Sequence, residues 1–415
     1  MKESSLSNTV GLPNSSPSES DCNIAEDFLA VDLHSVLESL GKELGFYRLH
    51  WIDLKAPLSI EKYRLWLEKG MNGEMKYLSD HLDTKTHPEK LLSNLNTQAR
   101  SIIVGSMPYF PAKNDRSPFS FLKTAAYSKG KDYHLWLREN LETVAQRLQN
   151  YLPEAKFLVG TDALPILERD FGFQAGIGWI GKNTCLIDSE NGSLFFIGEI
   201  LCSVSAPATT GEKLTAQTAD DKLDFCGTCT RCIDACPTGA IESPRELNAE
   251  KCISYWTIEA KTVPPVDIRK KMDGWFFGCD ICQTVCPWNR KKFGEALLQA
   301  NEKKFAKENF TSVTDSVSGS ATDSITASDL RPHHSDLRSQ MLQSFKFILE
   351  SSGKNLTKLV HETPLNRARP RGLKRNALLG IAHYNLTELS ETVSHYQKDE
   401  HLGELAKWVS GELKR

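Results

Sequence analysis

The chain has 415 residues, of which 40% are hydrophobic, so it is long enough for two or three domains with cores of their own. A formal net charge of −3 gives no global sign of a nucleic-acid binder. Residues 338–415 differ, because they carry 13 Lys and Arg against 8 Asp and Glu. No run of about 18 apolar residues is present, and the N-terminal segment lacks the apolar stretch of a secretory signal. Neither a membrane span nor export is therefore predicted.

The N-terminal half alternates strands with helices, which predicts an α/β domain over residues 27–220. Residues 1–26 precede it as a disordered tail rich in Ser, Asn and Pro. The strongest helix spans residues 132–152, because its apolar residues recur on one stripe. The predicted elements are, in chain order, a helix over 28–44, a polar region to residue 90, a strand over 101–105, the helix over 132–152, a strand over 156–160, and a strand-rich stretch over 176–187 and 192–201.

Three further parts follow this domain. Residues 221–295 hold most of the cysteines and are predicted to form a ferredoxin-like module. Residues 296–337 are a linker, with a Ser/Thr-rich insertion over 311–328 that has no periodicity. Residues 338–415 are predicted to form a small helical-repeat, HEAT-like domain. Its short amphipathic helices are predicted over residues 356–362, 372–384, 386–397 and 401–413. Together the parts predict a multidomain protein of mixed α+β and α/β class.

The cysteines fall into two runs, and the second run is one residue short. The first, Cys226-Cys229-Cys232-Cys236-Pro237, has the full C-x2-C-x2-C-x3-C-P spacing of cubane iron–sulfur modules. The second, Cys279-Cys282-Cys286-Pro287, has Phe276 where its first cysteine would stand. In such modules the cysteine before the proline binds the other cluster, and Cys252 supplies the missing ligand. Cluster 1 is predicted on Cys226, Cys229, Cys232 and Cys286; cluster 2 is predicted on Cys236, Cys252, Cys279 and Cys282.

Two other readings of these cysteines are weaker. Zinc sites use two short pairs rather than this spacing, and a disulfide framework is typical of small exported proteins. Cys22, Cys185 and Cys202 show no ligand spacing; Cys22 is interpreted as a thiol of the tail, and Cys185 and Cys202 as small hydrophobic residues on strands. Iron–sulfur ligation without an export signal predicts a cytoplasmic protein.

A glycine-rich segment and a carboxylate allow two interpretations each. The segment over residues 176–183 contains G-x-G-x-x-G, but a strand-like sequence follows it, so a tight turn is as good an interpretation as a ligand loop. Asp162 ends an apolar run, where a carboxyl can serve as a general acid. Because Pro165 follows shortly after, an N-cap is the interpretation that the residues alone favour.

Basic residues are concentrated in two places. Residues 366–376 carry five basic side chains and no acidic one, in a turn that enters a helix. This arrangement suits phosphate contacts, although a solvated charged face fits it equally well. Arg290, Lys291 and Lys292 form a second basic patch just beyond the cysteine runs.

The ordered set of motifs resembles the epoxyqueuosine reductase family, which is related to the reductive dehalogenases. The resemblance extends from about residue 27 to the C-terminus. It rests on the segments over residues 87–92, 130–134, 162–165, 176–183, 251–255, 277–280, 286–289, 363–365 and 372–376. It implies an enzyme that uses cobalamin and two 4Fe–4S clusters to reduce epoxyqueuosine to queuosine at the wobble position of tRNA.

The resemblance also implies roles for individual residues. Asp162 becomes the catalytic proton donor, and the glycine segment becomes part of a corrinoid pocket. Lys85 stands where many members carry arginine; lysine keeps the positive charge but lacks the bidentate fork of a guanidinium. The predicted cobalamin contacts are Lys85, Asp162, Lys182, Leu186, Glu250 and Asp280. The predicted tRNA contacts are Arg231, Arg367, Arg371, Lys374 and Arg375.

Removing an epoxide oxygen as water takes two electrons and two protons, whereas iron–sulfur clusters pass single electrons. A reduced corrinoid is a suitable carrier at the substrate. The D-x-H-x-x-G signature of a histidine lower ligand is absent, which predicts base-off cobalamin. The predicted partners are tRNA carrying epoxyqueuosine and an external one-electron donor of flavodoxin or ferredoxin type, with a monomeric enzyme and no membrane.

Two other functions remain possible from the sequence. A reductive dehalogenase-like cobalamin enzyme acting on a small organic substrate would not need the basic C-terminal helices. A non-catalytic ferredoxin-type electron carrier would not need the long domain that precedes the clusters.

Overall fold

The computed structural model describes residues 32–109, 119, 122–207, 224–302 and 337–414, without the side chains of residues 295–302. The predicted tail over 1–26 and the Ser/Thr-rich insertion over 311–328 lie outside these residues. Within the described residues no helix is both long and apolar enough to cross a bilayer.

A four-stranded sheet forms the centre of the N-terminal part. Its strands are β1 (Arg48–Asp53), β2 (Ser101–Pro108), β3 (Phe157–Gly160) and β6 (Phe195–Cys202). They lie in the order β1-β2-β6-β3, and all three pairings are antiparallel. The architecture is therefore α+β, and the prediction of an α/β domain was wrong for this part. An apolar run such as that of β2 indicates burial on both faces, but it does not specify the direction of the neighbouring strand.

Helices cover both faces of this sheet. The N-terminal helices are α1 (Leu33–Leu44), α2 (Ile60–Glu68), α3 (Leu82–Thr86), α4 (Tyr133–Gln149) and α5 (Glu168–Gln174). On one face α1 and α4 pack with Phe196 and Ile200 of β6. On the other face Phe171 of α5 packs with Phe195 and Leu201. Alternate residues of β6 thus enter different cores, as the pleat of a strand requires.

Helix α4 confirms the strongest sequence prediction. Asp132 caps it by accepting a hydrogen bond from His134 N at 3.1 Å. The residues of its stripe are fully buried against the sheet: Leu137, Leu141, Val144 and Leu148. Burial stabilises each by about 1.5–3 kcal/mol. The region up to residue 90, which was predicted only as polar, contains β1 and α2. It looks polar in the sequence because the apolar residues of β1 lie between charged ones.

Short elements build the cysteine-rich part. A hairpin of β4 (Trp179–Ile180) and β5 (Leu186–Ile187) precedes it, and β7 (Ile241–Ser243) pairs with β8 (Glu246–Leu247) within it. Its helices are α6 (Arg231–Asp234), α7 (Ile253–Ile258), α8 (Val266–Arg269), α9 (Ile281–Thr284) and α10 (Pro287–Glu302). Helix α6 lies within the first cysteine run and helix α9 lies within the second, and the two helices contact each other.

The C-terminal part is helical, as predicted. Its helices are α11 (Leu337–Glu350), α12 (Gly353–Val360), α13 (Arg369–His383), α14 (Ser390–Ser394) and α15 (Gly403–Glu412). Its core is continuous with that of the cysteine-rich part. Phe276, which stands in place of a cysteine, is 1% exposed and packs with Phe345 of α11. Asn376 of α13 donates a hydrogen bond to Phe276 O at 2.8 Å, so the missing cysteine position serves to join the two parts.

Candidate functional site

The structure gathers the four cysteines predicted for cluster 1. They come from both runs: Cys226, Cys229, Cys232 and Cys286. The Cys232 thiol lies within electrostatic range of Cys226 and Cys286, and Cys286 lies within range of Cys226 and Cys229. A turn closed by the bond from Cys229 N to Cys226 O, at 2.9 Å, holds the first two together.

The four cysteines predicted for cluster 2 are also brought together. Cys279 lies within electrostatic range of Cys252 and Cys236, and Cys282 lies within range of Cys279 and Cys252. Cys252 occupies the N-cap position of α7, where its backbone is extended. Ala240 N donates a hydrogen bond to the Cys236 sulfur at 3.3 Å. Bonds of this kind tune the potential of a cluster.

In the described ranges, no three His, Cys, Asp or Glu side chains converge as ligands of a single metal ion. The described cysteines are all free thiols rather than disulfides.

Asp162 lies just beyond β3 in a left-handed backbone conformation, with φ of 53°. Aspartate tolerates this conformation better than most residues. Helix α5 begins only at Glu168, with Leu167 in its N-cap position, so Asp162 does not cap that helix. Its side chain is 46% exposed. The carboxyl is therefore free to meet a ligand from solvent.

The start of α4 holds the Asp162 carboxyl. Tyr133 donates a hydrogen bond from its hydroxyl to Asp162 Oδ2, and the Tyr133 ring stacks on Phe196 with centroids 3.9 Å apart. Burial raises the pKa of Tyr133, and the charge of Asp162 adds to that rise. His134 Nε2 lies 3.7 Å from Asp162 Oδ2. The hydrogen bond from His134 to Asp132, at 2.6 Å, raises the pKa of His134.

Two further carboxyls lie behind Asp162. Glu168 lies within electrostatic range of Asp162 and Glu199, and burial together with the charge of Glu199 raises the pKa of Glu168 well above the usual range. Glu199 is 0% exposed. Burial raises its pKa well above normal too, with a smaller contribution from Asp162. Sequence reasoning missed both residues, although a glutamate inside the apolar strand FFIGEILC was a visible signal.

The basic turn of the C-terminal part reaches the same site through Arg367. Its guanidinium binds the Glu259 carboxylate in a bidentate manner, at 2.9 and 3.1 Å, and lies 5.3 Å from the centre of the Tyr77 ring. The hydrogen bond with Glu259 raises the pKa of Arg367. Arg367 is within electrostatic range of His134. Residues far apart in sequence thus border one surface around Asp162.

Charged and aromatic residues also lie between Asp162 and the cysteines. Tyr127 is within electrostatic range of both Asp162 and Asp280. Asp280 follows Cys279 directly, is 3% exposed, and accepts a hydrogen bond from Ala126 N at 2.6 Å. Burial raises the pKa of Asp280 to about 6.

The predicted cobalamin contacts do not all face this surface. Asp162 and Glu250 are exposed. Lys182 is buried and donates hydrogen bonds to the Gly227 and Cys229 carbonyls at 2.6 and 3.0 Å. Lys85 is buried as well and donates to the Asp80 carbonyl.

Leu186 is buried in the core beside α5. The side chains of Lys85, Lys182 and Leu186 make interior contacts, and their contact with cobalamin stays a prediction.

The glycine-rich segment forms the β4–β5 hairpin. A Cβ at Gly178 would lie 1.9 Å from Ile187 O, and one at Gly181 would lie 2.4 Å from Ile187 Cδ1. Close packing inside the hairpin explains these two glycines, which agrees with the tight-turn interpretation.

The predicted tRNA contacts divide into exposed and internal residues. Arg231, Arg367 and Arg371 are exposed. Lys374 is partly buried and donates hydrogen bonds to Leu349 O and the Tyr396 hydroxyl, at 3.0 and 2.7 Å.

Arg375 is 1% exposed and donates hydrogen bonds to the carbonyls of Ala260 and Thr262. Its guanidinium is inside the protein, and the contact of Arg375 with tRNA stays a prediction. A basic side chain on a helix can face the interior when backbone carbonyls accept its hydrogen bonds.

Comparison with known proteins decides the family. The 4Fe-4S double cluster binding domain matches residues 225–289, which include all eight predicted cluster cysteines. The family model Epoxyqueuosine reductase QueG, DUF1730, matches residues 86–163, which end just after Asp162. The epoxyqueuosine reductase of Cyclobacterium marinum is 38% identical over 294 residues, covering 68% of this chain and 89% of that protein. The chain belongs to the epoxyqueuosine reductase family. It is an oxidoreductase with a 4Fe–4S double-cluster domain.

Other family members agree. The Xanthomonas campestris enzyme is 38% identical over 63% of this chain and 71% of its own length. The Escherichia coli enzyme is 34% identical over 63% of this chain and 67% of its own.

Solved structures share the fold. One is a crystal structure of epoxyqueuosine reductase with a tRNA-Tyr epoxyqueuosine-modified stem loop, at TM-score 0.69 and 24% identity, covering 92% of this chain and 90% of that one. The Streptococcus thermophilus enzyme gives TM-score 0.69 at 22% identity, covering 93% and 91%. At these identities the likeness concerns the fold alone.

Proposed function

We propose that this protein reduces epoxyqueuosine in tRNA to queuosine, with Asp162 as the proton donor. The observation that carries the proposal is the placement of Asp162. Its exposed carboxyl accepts a hydrogen bond from Tyr133, and Arg367 lies within electrostatic range of the neighbouring His134. Tyr127 lies within electrostatic range of both Asp162 and Asp280, the residue after Cys279. A proton donor next to an electron path is what a reductive deoxygenation requires.

The two cysteine quartets would carry the electrons. Asp280 follows Cys279, so the cluster 2 quartet is the one connected to Asp162. Cluster 2 is proposed to pass electrons to the reaction site, and cluster 1 is proposed as the entry point for an external one-electron donor.

A base-off corrinoid is proposed beside Asp162. The residues there suit a bulky redox group, because Asp162 and Tyr77 are each 46% exposed to solvent. Tyr77 is also within electrostatic range of Asp162. The candidate contacts are the predicted set: Lys85, Asp162, Lys182, Leu186, Glu250 and Asp280. When bound, the corrinoid would supply the two-electron reductant that the clusters cannot provide.

The protein's own residues would handle the proton. The Tyr133 hydroxyl and the nearby His134 ring fix the Asp162 carboxyl at the surface. From there Asp162 can protonate an oxygen of a bound epoxide, which contributes roughly 10²–10⁴-fold to the rate.

Exposed arginines are proposed to hold the tRNA backbone. Arg367 borders the site, Arg371 lies in the first turn of α13, and Lys374 stays a candidate through its partly exposed stem. Arg231 and Arg290 line an open groove of about 410 Å³ next to α9. Phosphate contacts of this kind predict affinity that falls as salt rises.

The proposal has one decisive test. The protein is purified anaerobically, its absorbance is recorded for iron–sulfur and corrinoid bands, and retention of tRNA is measured over a salt series. Corrinoid together with salt-sensitive tRNA binding supports the proposal. Corrinoid without tRNA favours the dehalogenase-like function, and no corrinoid favours the electron carrier. The external donor, the monomeric state, the cytoplasmic location, the domain bounds and the helical-repeat character stay predictions.

A further inference from the structure

The cysteines of cluster 2 come from three separate segments of the chain. In a complete run the first ligand would stand at residue 276, three residues before Cys279. The chain alone would then keep the two ligands close, since three residues span at most about 10 Å. Cys252 instead occupies the N-cap position of α7, so no short stretch of chain limits its distance from Cys279. Contacts between segments must set that distance.

Asn376 of α13 joins the two segments through its side-chain amide. The amide nitrogen donates one hydrogen bond to Thr257 O in α7, at 2.7 Å, and another to Phe276 O, at 2.8 Å. Asn376 is 0% exposed. Its Oδ1 atom accepts a hydrogen bond from Arg375 Nε at 3.1 Å, so the nitrogen is the atom that faces the two carbonyls. Both donors of the amide are therefore used at this junction.

Thr257 makes a second connection between the same segments. Its hydroxyl accepts a hydrogen bond from Gly278 N at 2.9 Å and donates one to Ile253 O at 2.9 Å. Gly278 directly precedes Cys279, and Ile253 directly follows Cys252. The Thr257 hydroxyl is fully buried. It thus connects the backbone beside one cluster 2 ligand to the backbone beside another.

The N-terminal part also holds residues 276 and 277. Phe276 N donates a hydrogen bond to Lys123 O at 2.7 Å, and Ala125 N donates one to Phe277 O at 2.8 Å. These bonds fix the segment before Cys279 against the N-terminal part. The bonds of Asn376 and Thr257 are the ones that join it to α7.

We propose that Asn376 and Thr257 are positioning residues for cluster 2, which hold the segments of Cys252 and Cys279 at the separation that the cluster requires. They replace the constraint that a cysteine at position 276 would have supplied through the chain. Both act through the backbone beside the ligands rather than as ligands. The C-terminal helix α13 thereby supports the cluster that is proposed to pass electrons to the reaction site. This inference rests on the proposed assignment of the two cysteine quartets.

The test uses two variants of the full-length enzyme after anaerobic reconstitution. Asn376→Leu keeps the size of the side chain but removes both donors, and Thr257→Val keeps the shape but removes the hydroxyl. Thr257→Ser retains the hydroxyl and is the matched control. Val409→Ala, at a fully buried position of α15, controls for a general loss of stability. The measurements are the rate of iron release to a chelator, the electron paramagnetic resonance of the reduced protein and the melting temperature.

In both test variants about half of the iron, roughly four atoms per chain, should be released about tenfold or more faster than in wild type. The reason is that changes beside the ligands of a metal site cost roughly 10–100-fold in affinity. The remaining iron should keep the wild-type rate, and the g values of one of the two cluster signals should change. Thr257→Ser should match wild type. Val409→Ala should lower the melting temperature while both signals stay unchanged.

Iron release within twofold of wild type, with both signals unchanged in both variants, would overturn the proposal. Equal acceleration of the release from both clusters would overturn it too, because that is the result of general unfolding. If Asn376→Leu does not fold, the comparison of Thr257→Val with Thr257→Ser decides. An iron content that Cys252→Ala leaves unchanged counts instead against the assignment of the quartets.

Discussion

Replacing Cys252 with alanine separates the two clusters. Cys252 lies between the two cysteine runs in sequence, yet the structure places its thiol with Cys236, Cys279 and Cys282. The cluster 1 quartet contains none of these residues. The substitution therefore leaves cluster 1 with four thiolates and cluster 2 with three.

The size of the effect follows from the ligand count. Two intact 4Fe–4S clusters give about eight irons per chain. Cys252→Ala should reduce this to between about four and about seven, because a three-thiolate cluster loses one iron or is lost entirely. The measurement is iron per chain after anaerobic reconstitution, combined with electron paramagnetic resonance of the reduced protein. One of the two cluster signals should persist unchanged.

Cys202→Ala is the matched control. Cys202 is fully buried in β6 and belongs to neither quartet. Its substitution leaves a small cavity, which costs about 1 kcal/mol, but iron should stay at about eight per chain. Iron near zero in Cys252→Ala would mean that Cys252 supports the whole module, and an unchanged content would mean that another group completes cluster 2. Either result refutes the assignment.

Four further outcomes are expected. Asp162→Asn should retain iron and tRNA binding but lose turnover by roughly 10²–10⁴-fold in single-turnover assays; full activity would remove Asp162 from the mechanism. Arg375→Ala should lower the free energy of unfolding by about 2–4 kcal/mol, since it leaves buried carbonyls without donors. Arg371→Ala at an exposed position should change stability by less than about 0.5 kcal/mol while flattening the salt dependence of tRNA binding. Because its bond to Asp132 raises the pKa of His134, that contact stabilises the fold at low pH and is lost as pH rises through the raised pKa. The difference in melting temperature between wild type and His134→Ala should therefore shrink with increasing pH.

The cysteine quartets could be predicted from the spacing of the cysteines alone. The positions of the cysteines and the gap at Phe276 sufficed to predict two quartets of cysteines, and the members of each quartet lie within electrostatic range of one another in the structure. Ligand spacing is a local constraint imposed by the size of the cluster, so it is visible in the sequence. The stripe of α4 was readable for the same reason, because helix periodicity depends on neighbours within two turns.

Other features depended on partners distant in the chain. The direction of β6 relative to β2, the burial of Arg375 and the partners of Asp162 are set by which segments meet in space. The sequence alone favoured a helix cap for Asp162, whereas the start of α4 and Glu168 surround it in the structure.

The sequence by itself sufficed to predict the cluster ligands, the main helix and the family to which the chain is similar. Only the tertiary structure decided that an antiparallel sheet buries Glu199 behind Asp162 and that Arg375 turns inwards while Arg367 stays at the surface. Spacing and periodicity act along the chain, but burial and charge pairing arise only when distant segments pack together.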